Sequence, residues 1–194
     1  MQKIVLATRN RNKVVELAHA LGHLPLQFVT AADFPEVPET IEDADTLEGN
    51  ARKKAQELFE ATGLPAIADD TGLEVDALGG NPGVYTARYA GEGCSYADNR
   101  AKMLRELSGK TNRKAQFRTV IVYRTAEGTR VFEGVCAGEI TTEERGEKGF
   151  GYDPIFSPEG FEITFAEMAL DVKNAISHRG KAVQQLIAHL QEGA

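Results

Sequence analysis

Apolar and polar positions along the chain follow two periods in turn, and each switch marks a new element. The run Ile4-Val5-Leu6-Ala7 within Lys3 to Thr8 predicts a buried strand, and Arg9 to Asn12 a polar turn. From Lys13 to Leu21, Val14, Val15, Leu17, Ala18 and Leu21 recur at helical spacing, with Gly22 as the stop. Leu26 to Val29 reads as a second strand. Thr46 to Thr62 reads as a helix whose stripe is Leu47, Ala51, Ala55, Leu58 and Phe59. Asp45, with Glu48 three positions on, is its expected N-cap, and Gly63 follows its end.

Pro65 to Asp69 predicts a strand running into an Asp-Asp-Thr-Gly turn, with another strand over Leu73 to Leu78. Glycines 79, 80, 83, 91 and 93, with Pro82, make 79–93 a loop-rich stretch. Tyr96 to Leu107 is helical. Gln116 to Thr125 and Thr129 to Gly138 form a hairpin turned near Glu127-Gly128, and Val120 to Tyr123 reads as covered on both faces. A Gly-rich loop ends at Gly149, and Tyr152 to Phe156 reads as a last strand. Ser177 then caps a C-terminal helix that places Val183, Leu186, Ile187 and Leu190 on one face. There are no repeats, linkers or low-complexity stretches, so residues 1–194 read as a single α/β domain with a hairpin-bearing second lobe.

Composition narrows the classes. A chain of 194 residues with 42% hydrophobic content buries a core without disulfides or a structural metal. Its 22 Lys and Arg against 29 Asp and Glu give −7, which argues against a nucleic-acid or anionic-membrane surface binder. Cys94 and Cys136 are too distant in sequence for a zinc knuckle and read as small buried or half-buried residues. The apolar start is too short for a signal h-region, and no apolar run approaches the ~20 residues that span a bilayer. The expectation is a cytoplasmic protein.

Five segments are candidates for chemistry. The turn Thr8-Arg9-Asn10-Arg11-Asn12-Lys13, from strand to helix start, offers backbone N–H groups and three cations to a phosphate, or is a solvated turn capped by Thr8 or Asn10. Asp69-Asp70-Thr71-Gly72 sets two carboxylates side by side, where they repel unless a cation or donors satisfy them. That fits a Mg²⁺ site or a general base, or else a plain Asp-Gly-type turn. The acidic stretch Asp33 to Glu48 precedes Arg52, Lys53 and Lys54, the mixture of signs that a metal–triphosphate complex requires. Gly149-Phe150-Gly151-Tyr152-Asp153-Pro154 supplies rings beside a bend, either for stacking on a base or as core. Finally, His178 and Arg179 after Ser177 put cations at a helix start, where the dipole disfavours them, unless they donate to an anion or carbonyl.

In combination these segments resemble the inosine triphosphate pyrophosphatase family, the dITP/XTP pyrophosphatases. The resemblance is carried by Thr8-x-Asn10-x-x-Lys13, Ile67-Ala68-Asp69-Asp70-Thr71-Gly72-Leu73, Leu78-Gly79-Gly80-x-Pro82-Gly83-Val84-Tyr85, Gly149 to Pro154, Thr164-Phe165-Ala166-Glu167-Met168 and Ser177-His178-Arg179. It runs nearly end to end. It implies an elongated mixed β-sheet with flanking helices, two lobes around a deep nucleotide cleft, and a homodimer. It also implies Mg²⁺-dependent cleavage of non-standard purine nucleoside triphosphates (ITP, dITP, XTP) between the α and β phosphates.

By the same resemblance, Thr8, Arg9, Asn10, Arg11, Asn12 and Lys13 would hold phosphates, and Asp70 would take the proton of the attacking water and ligate Mg²⁺ with Glu42. Lys54, Thr71 and Lys173 would contact phosphate or sugar. Phe150, Gly151, Tyr152 and Asp153 would embrace the base, with His178 and Arg179 reading its keto oxygen. Two departures bear on the metal. The segment Ile41 to Thr46 is one residue shorter than the family pattern, and Gly49 stands where a Glu is common. Asp43 or Glu39 is then an alternative to Glu42. The rival functions are a nucleotide-binding module with little turnover and a phosphohydrolase releasing single phosphates.

Overall fold

The computed structural model describes residues 3–192. The chain is a mixed α/β fold built on a seven-stranded sheet of order β2-β1-β3-β5-β6-β7, with β4 paired to β3. The strands are β1 Lys3–Leu6, β2 Gln27–Thr30, β3 Ala66–Val75, β4 Pro82–Gly83, β5 Lys114–Thr125, β6 Gly128–Ile140 and β7 Phe156–Pro158. Five helices accompany them: α1 Arg11–Leu21, α2 Leu47–Thr62, α3 Tyr96–Glu106, α4 Leu170–Ile176 and α5 His178–Glu192.

Two compact units are present. One comprises the described residues up to Asp70, Thr119–Gly134 and those from Arg179 onward; the other is Thr71–Arg118 with Val135–His178. In the first, β1 runs parallel to both β2 and β3, pairing Ile4 with Phe28 and Leu6 with Ile67. Ile4, Leu6, Leu17, Leu21, Ile67, Ile121, Val183 and Leu186 form its core, with Ile187 and Leu190 packed against it, so α5 buries the stripe its sequence predicts. In the second, β6 and β7 are antiparallel, and Leu73, Met103, Phe117, Ile155, Phe156 and Phe165 are core residues. Val120 to Tyr123 are all buried, as expected of a strand covered on both faces. Cys136 is buried and Cys94 half-buried, both as free thiols.

Three expectations need correction, and one helix was not foreseen. The segment Pro65 to Leu78 is not two strands about a turn: β3 is continuous through Asp69-Asp70-Thr71-Gly72 and ends at Val75, with a 3-10 turn over Asp76–Leu78. Both carboxylates therefore sit in the interior of a strand, where their desolvation must be met by partners. Thr46, not Asp45, caps α2, its hydroxyl accepting from the Gly49 amide at 3.0 Å. The expected strand Tyr152–Phe156 is a 3-10 turn over Asp153–Ile155, because Pro154 fixes φ and lacks a donor; β7 begins only at Phe156. Ser177 precedes α5 directly, in the cap position its sequence predicts, and it also closes α4, a helix that the periodicity does not reveal.

Candidate active site

The strand-to-helix turn in the first unit satisfies much of its own backbone. Asn10 is the N-cap of α1: its Oδ1 accepts from the amides of Asn12 (3.0 Å) and Lys13 (3.4 Å), while the Thr8 hydroxyl accepts from the Asn10 amide (3.1 Å). Of the three cations expected to act together here, only Lys13 turns inward. Arg9 donates to the Val37 carbonyl at 2.6 Å, and Arg11 is exposed.

Lys13 meets the interior of β3, its ammonium 3.3 Å from Asp69 Oδ2. Arg179, at the start of α5, donates from Nε and Nη2 to that same Oδ2, each at 3.1 Å. Its Nη1 lies 2.5 Å from Glu16 Oε2 on α1. Asp69, Arg179 and Glu16 are at most 5% exposed. A cationic residue at a helix N-terminus is thus held by two carboxylates that offset the unfavourable dipole.

Lys54 is clasped from three sides. Its Nζ donates to Glu42 Oε1 at 3.0 Å, to Asp70 Oδ1 at 3.1 Å and to the Asp69 carbonyl at 2.8 Å. The ammonium that was expected to contact phosphate or sugar has three acceptors within the protein, as many as its donors. It also joins Glu42 to Asp70. Asp43 pairs instead with Lys53 at 2.7 Å, and Glu39 is exposed, so Glu42 is the acid that the structure brings to the Asp70 side chain.

The adjacent aspartates titrate in opposite directions. Burial raises the Asp69 carboxyl, but Lys13, Arg179 and Lys54 outweigh it and hold Asp69 well below the ordinary carboxylate range. At Asp70 burial prevails over Lys54 and Lys13, with Glu42 adding to it, and the pKa is raised. Burial also pulls the Lys13 ammonium down. Lys54 stays above its ordinary value because Asp70, Glu42 and Asp69 outweigh its burial. Cations thus favour the ionised form of Asp69, and burial disfavours that of Asp70.

These residues fit a divalent cation. Among the described residues, Lys13, Lys54 and Arg179 face Glu16, Glu42, Asp69 and Asp70. Asp69 Oδ1 is buried and has no hydrogen-bond partner among the described residues. Glu42 and Asp70 give two hard oxygen ligands, which suits Mg²⁺, since that ion commonly takes one or two carboxylates and completes its shell with water and phosphate oxygens.

The second unit builds a different arrangement around the Gly149 to Pro154 segment. Asp153 folds back so that its Oδ2 accepts from the Phe150 amide at 2.8 Å and from Lys173 Nζ at 2.6 Å. Gly149 has φ 71°, and a Cβ there would stand 2.0 Å from Asp153 Oδ2, so only glycine admits this turn. Arg100 pins the Gly151 carbonyl at 2.9 Å. The Lys173 ammonium lies 5.2 Å and 5.5 Å from the ring centres of Phe150 and Phe165. Tyr152 is core: it is 3% exposed and its hydroxyl donates to the Thr86 carbonyl at 2.8 Å. Phe150, half-buried, is thus the ring of this motif with surface for stacking on a base. His178 is buried and stacks on Phe117, centroids 4.5 Å apart and planes 17° from parallel. Thr71 is half-buried directly after Asp70.

Glu16 escaped the sequence reading, although it lies one helical turn after Lys13 and so shares its face of α1. Arg179 was expected at the base. Its links to Asp69 and Glu16 add a structural task that only tertiary pairing reveals.

Adjacent carboxylates within a buried strand, met by lysines, an arginine and a capped helix start, place this charged cluster on a strand of a mixed α/β sheet. The Ham1 family model matches residues 4–189, and the chain belongs to this family. It is 50% identical over 189 residues to a dITP/XTP pyrophosphatase of Flavobacterium johnsoniae, spanning 95% of this chain and 96% of that protein. A dITP/XTP pyrophosphatase of Geobacter sulfurreducens is 48% identical over 193 residues, spanning 98% and 97%. Among solved structures, a HAM1 protein from Coxiella burnetii superposes with TM-score 0.91 at 41% identity, covering 99% of this chain and all of that one. The Staphylococcus aureus Ham1 protein gives 0.89 at 37% identity, with both chains fully covered.

Proposed function

We propose that this chain hydrolyses ITP, dITP and XTP to the monophosphate and pyrophosphate, with Mg²⁺ as cofactor. The observation that carries this reading is the Asp69-Asp70 pair, one carboxylate held anionic and the other raised, beside Lys13, Lys54 and Arg179. The names of its close relatives support the same substrates.

Asp70, whose pKa burial raises, accepts the proton of the attacking water. The water oxygen joins phosphorus, the P–O–P bridge between the α and β phosphates breaks, and pyrophosphate leaves. Glu42 and Asp70 would hold Mg²⁺, which would supply neutralisation of phosphate charge when bound. Lys13 and the 8–12 turn take the phosphates; Lys54, through its links to both metal-binding carboxylates, orients them. Thr71 and Lys173 contribute to the phosphate or sugar. Phe150, Gly151 and Asp153 frame the base, and His178 with Arg179 offers donors to its 6-keto oxygen. A donor there opposes the amino group of adenine, which leaves both unpaired and lowers its binding. The protein acts in the cytoplasm as a homodimer.

Incubation with ITP, XTP, ATP and GTP plus Mg²⁺, with identification of the products, tests this. Inosine monophosphate with pyrophosphate is the expected outcome. Diphosphate with orthophosphate would make the chain a phosphohydrolase instead, and tight binding without turnover would make it a binding module.

A further inference from the structure

The acidic segment before α2 is held along that helix by a regular set of contacts. Taken down the segment and up the helix, the Thr40 hydroxyl donates to Glu57 Oε2 at 2.6 Å. Lys53 Nζ donates to the Ile41 carbonyl at 2.8 Å and to Asp43 Oδ1 at 2.7 Å. Lys54 meets Glu42 at 3.0 Å. The Ala44 amide donates to Oδ1 of Asn50, a fully buried asparagine, at 2.9 Å. Positions 50, 53, 54 and 57 lie on one face of a helix, so a single face of α2 grips residues 40–44.

The last contact depends on a missing side chain. A Cβ on Gly49 would stand 2.8 Å from the Ala44 Cβ, closer than two carbons can pack, and 3.1 Å from the Thr46 hydroxyl. Gly49 lies inside a helix, where its conformation asks for no glycine and alanine is the better helix former. The close approach of Ala44 is therefore what the glycine serves.

We propose that Gly49 and Asn50 are positioning residues for Glu42: by seating Ala44 on the first turn of α2, they set the length and register of a short loop so that Glu42 reaches Lys54 and Asp70. The absent Cβ at position 49 makes room for Ala44 against the helix. Lys53 secures the neighbouring turn by holding Asp43 and the Ile41 carbonyl, so Asp43 points away while Glu42 points in. The inference rests on the proposed role of Glu42 as a metal ligand.

The test uses Gly49→Ala, Asn50→Leu and the double variant Ala44→Gly/Gly49→Ala. Three quantities are measured: the Mg²⁺ concentration for half-maximal ITP turnover, Mn²⁺ binding to nucleotide-free protein by electron paramagnetic resonance, and hydrogen exchange at the Ala44 amide. Gly49→Ala is expected to raise the half-saturating Mg²⁺ and to weaken Mn²⁺ binding by about ten-fold, with kcat at saturating Mg²⁺ retained. Removing the Ala44 Cβ in the double variant restores both, which general damage to α2 would not allow. Asn50→Leu exposes the Ala44 amide to exchange and weakens Mn²⁺ binding likewise. Unchanged metal affinity in Gly49→Ala, or a defect that Ala44→Gly leaves unrelieved, overturns the proposal. A wild-type enzyme that turns over ITP without any divalent ion removes instead the role of Glu42 on which it rests, and the two failures are thus told apart.

Discussion

The two units each bury charge, and they do so in opposite ways. In the second, Lys173 and Asp153 make one pair of equal and opposite charge, 2.6 Å apart, beside Phe150 and Phe165. Among the described residues of the first, three cations meet four carboxylates in a branched network that reaches from Glu16 through Arg179 and Asp69 to Lys13, Lys54, Asp70 and Glu42. A balanced pair fixes a shape: Asp153 shapes the Gly149 to Pro154 turn while it holds Lys173. Within the network burial raises Asp70 against the pull of Lys54 and Lys13, while cations hold its neighbour Asp69 low. Chemistry belongs where the compensation is incomplete.

The sharpest break of this contrast is Asp70→Asn. It removes the proposed base, and turnover of saturating ITP should fall by about 10³-fold or more. Because burial penalises the ionised Asp70, neutralising it is not expected to lower the thermal midpoint, which is read by calorimetry alongside kcat. The acid limb of kcat/KM, where the wild type loses the ionised base as pH falls through its raised pKa, should vanish in the residual activity of the variant.

Asp69→Asn breaks the network at its anchor. Arg179 and Lys13 keep their charges without that carboxylate, and removing one partner of a buried ion pair costs about 3–5 kcal/mol. Asp69 has a lower pKa folded than unfolded. Its stabilisation is therefore present above the unfolded value of a free carboxylate and is lost as pH falls through the folded one. Urea melts across the acid range should show the steep wild-type loss of stability flattened in Asp69→Asn. A variant as stable as the wild type at pH 7 would mean that Arg179 and Lys13 find other partners.

How far this contrast was legible in the sequence follows from which physics each part obeys. Strands and helices were visible where apolar periodicity alone decides them, as in α1, α2, α5 and the β5–β6 hairpin. The run through Asp69-Asp70-Thr71-Gly72 was misjudged because local chemistry there favours a turn, and only buried cations supplied from α1, α2 and α5 permit it to remain a strand. Residue types single out Asp70 and Lys13, the resemblance adds Glu42, and the structure brings these side chains into one charged cluster. Glu16 and the clasp on Lys54 were hidden, since pairing across residues 16 and 179, or 42, 54 and 70, leaves no periodic trace in the chain. Tyr152 shows the converse: an aromatic beside glycines read as a ligand contact, whereas packing made it core.

Lys173→Met tests the balanced pair and should act mainly on shape. It leaves Asp153 buried without its ammonium, but the Phe150 amide still donates to that carboxylate, and methionine fills much of the vacated volume against Phe150 and Phe165. The loss of stability should therefore fall below that of Asp69→Asn, on the order of 2 kcal/mol by urea denaturation. If the pair serves substrate contact as well, KM for ITP should rise more than kcat falls, while Asp70→Asn shows the opposite division. Adding Asp153→Asn in the Lys173→Met background removes the stranded charge and should recover part of the stability without recovering KM. Recovery of both would make Lys173 a purely structural cation, and the two units would then differ in role as fully as they differ in charge balance.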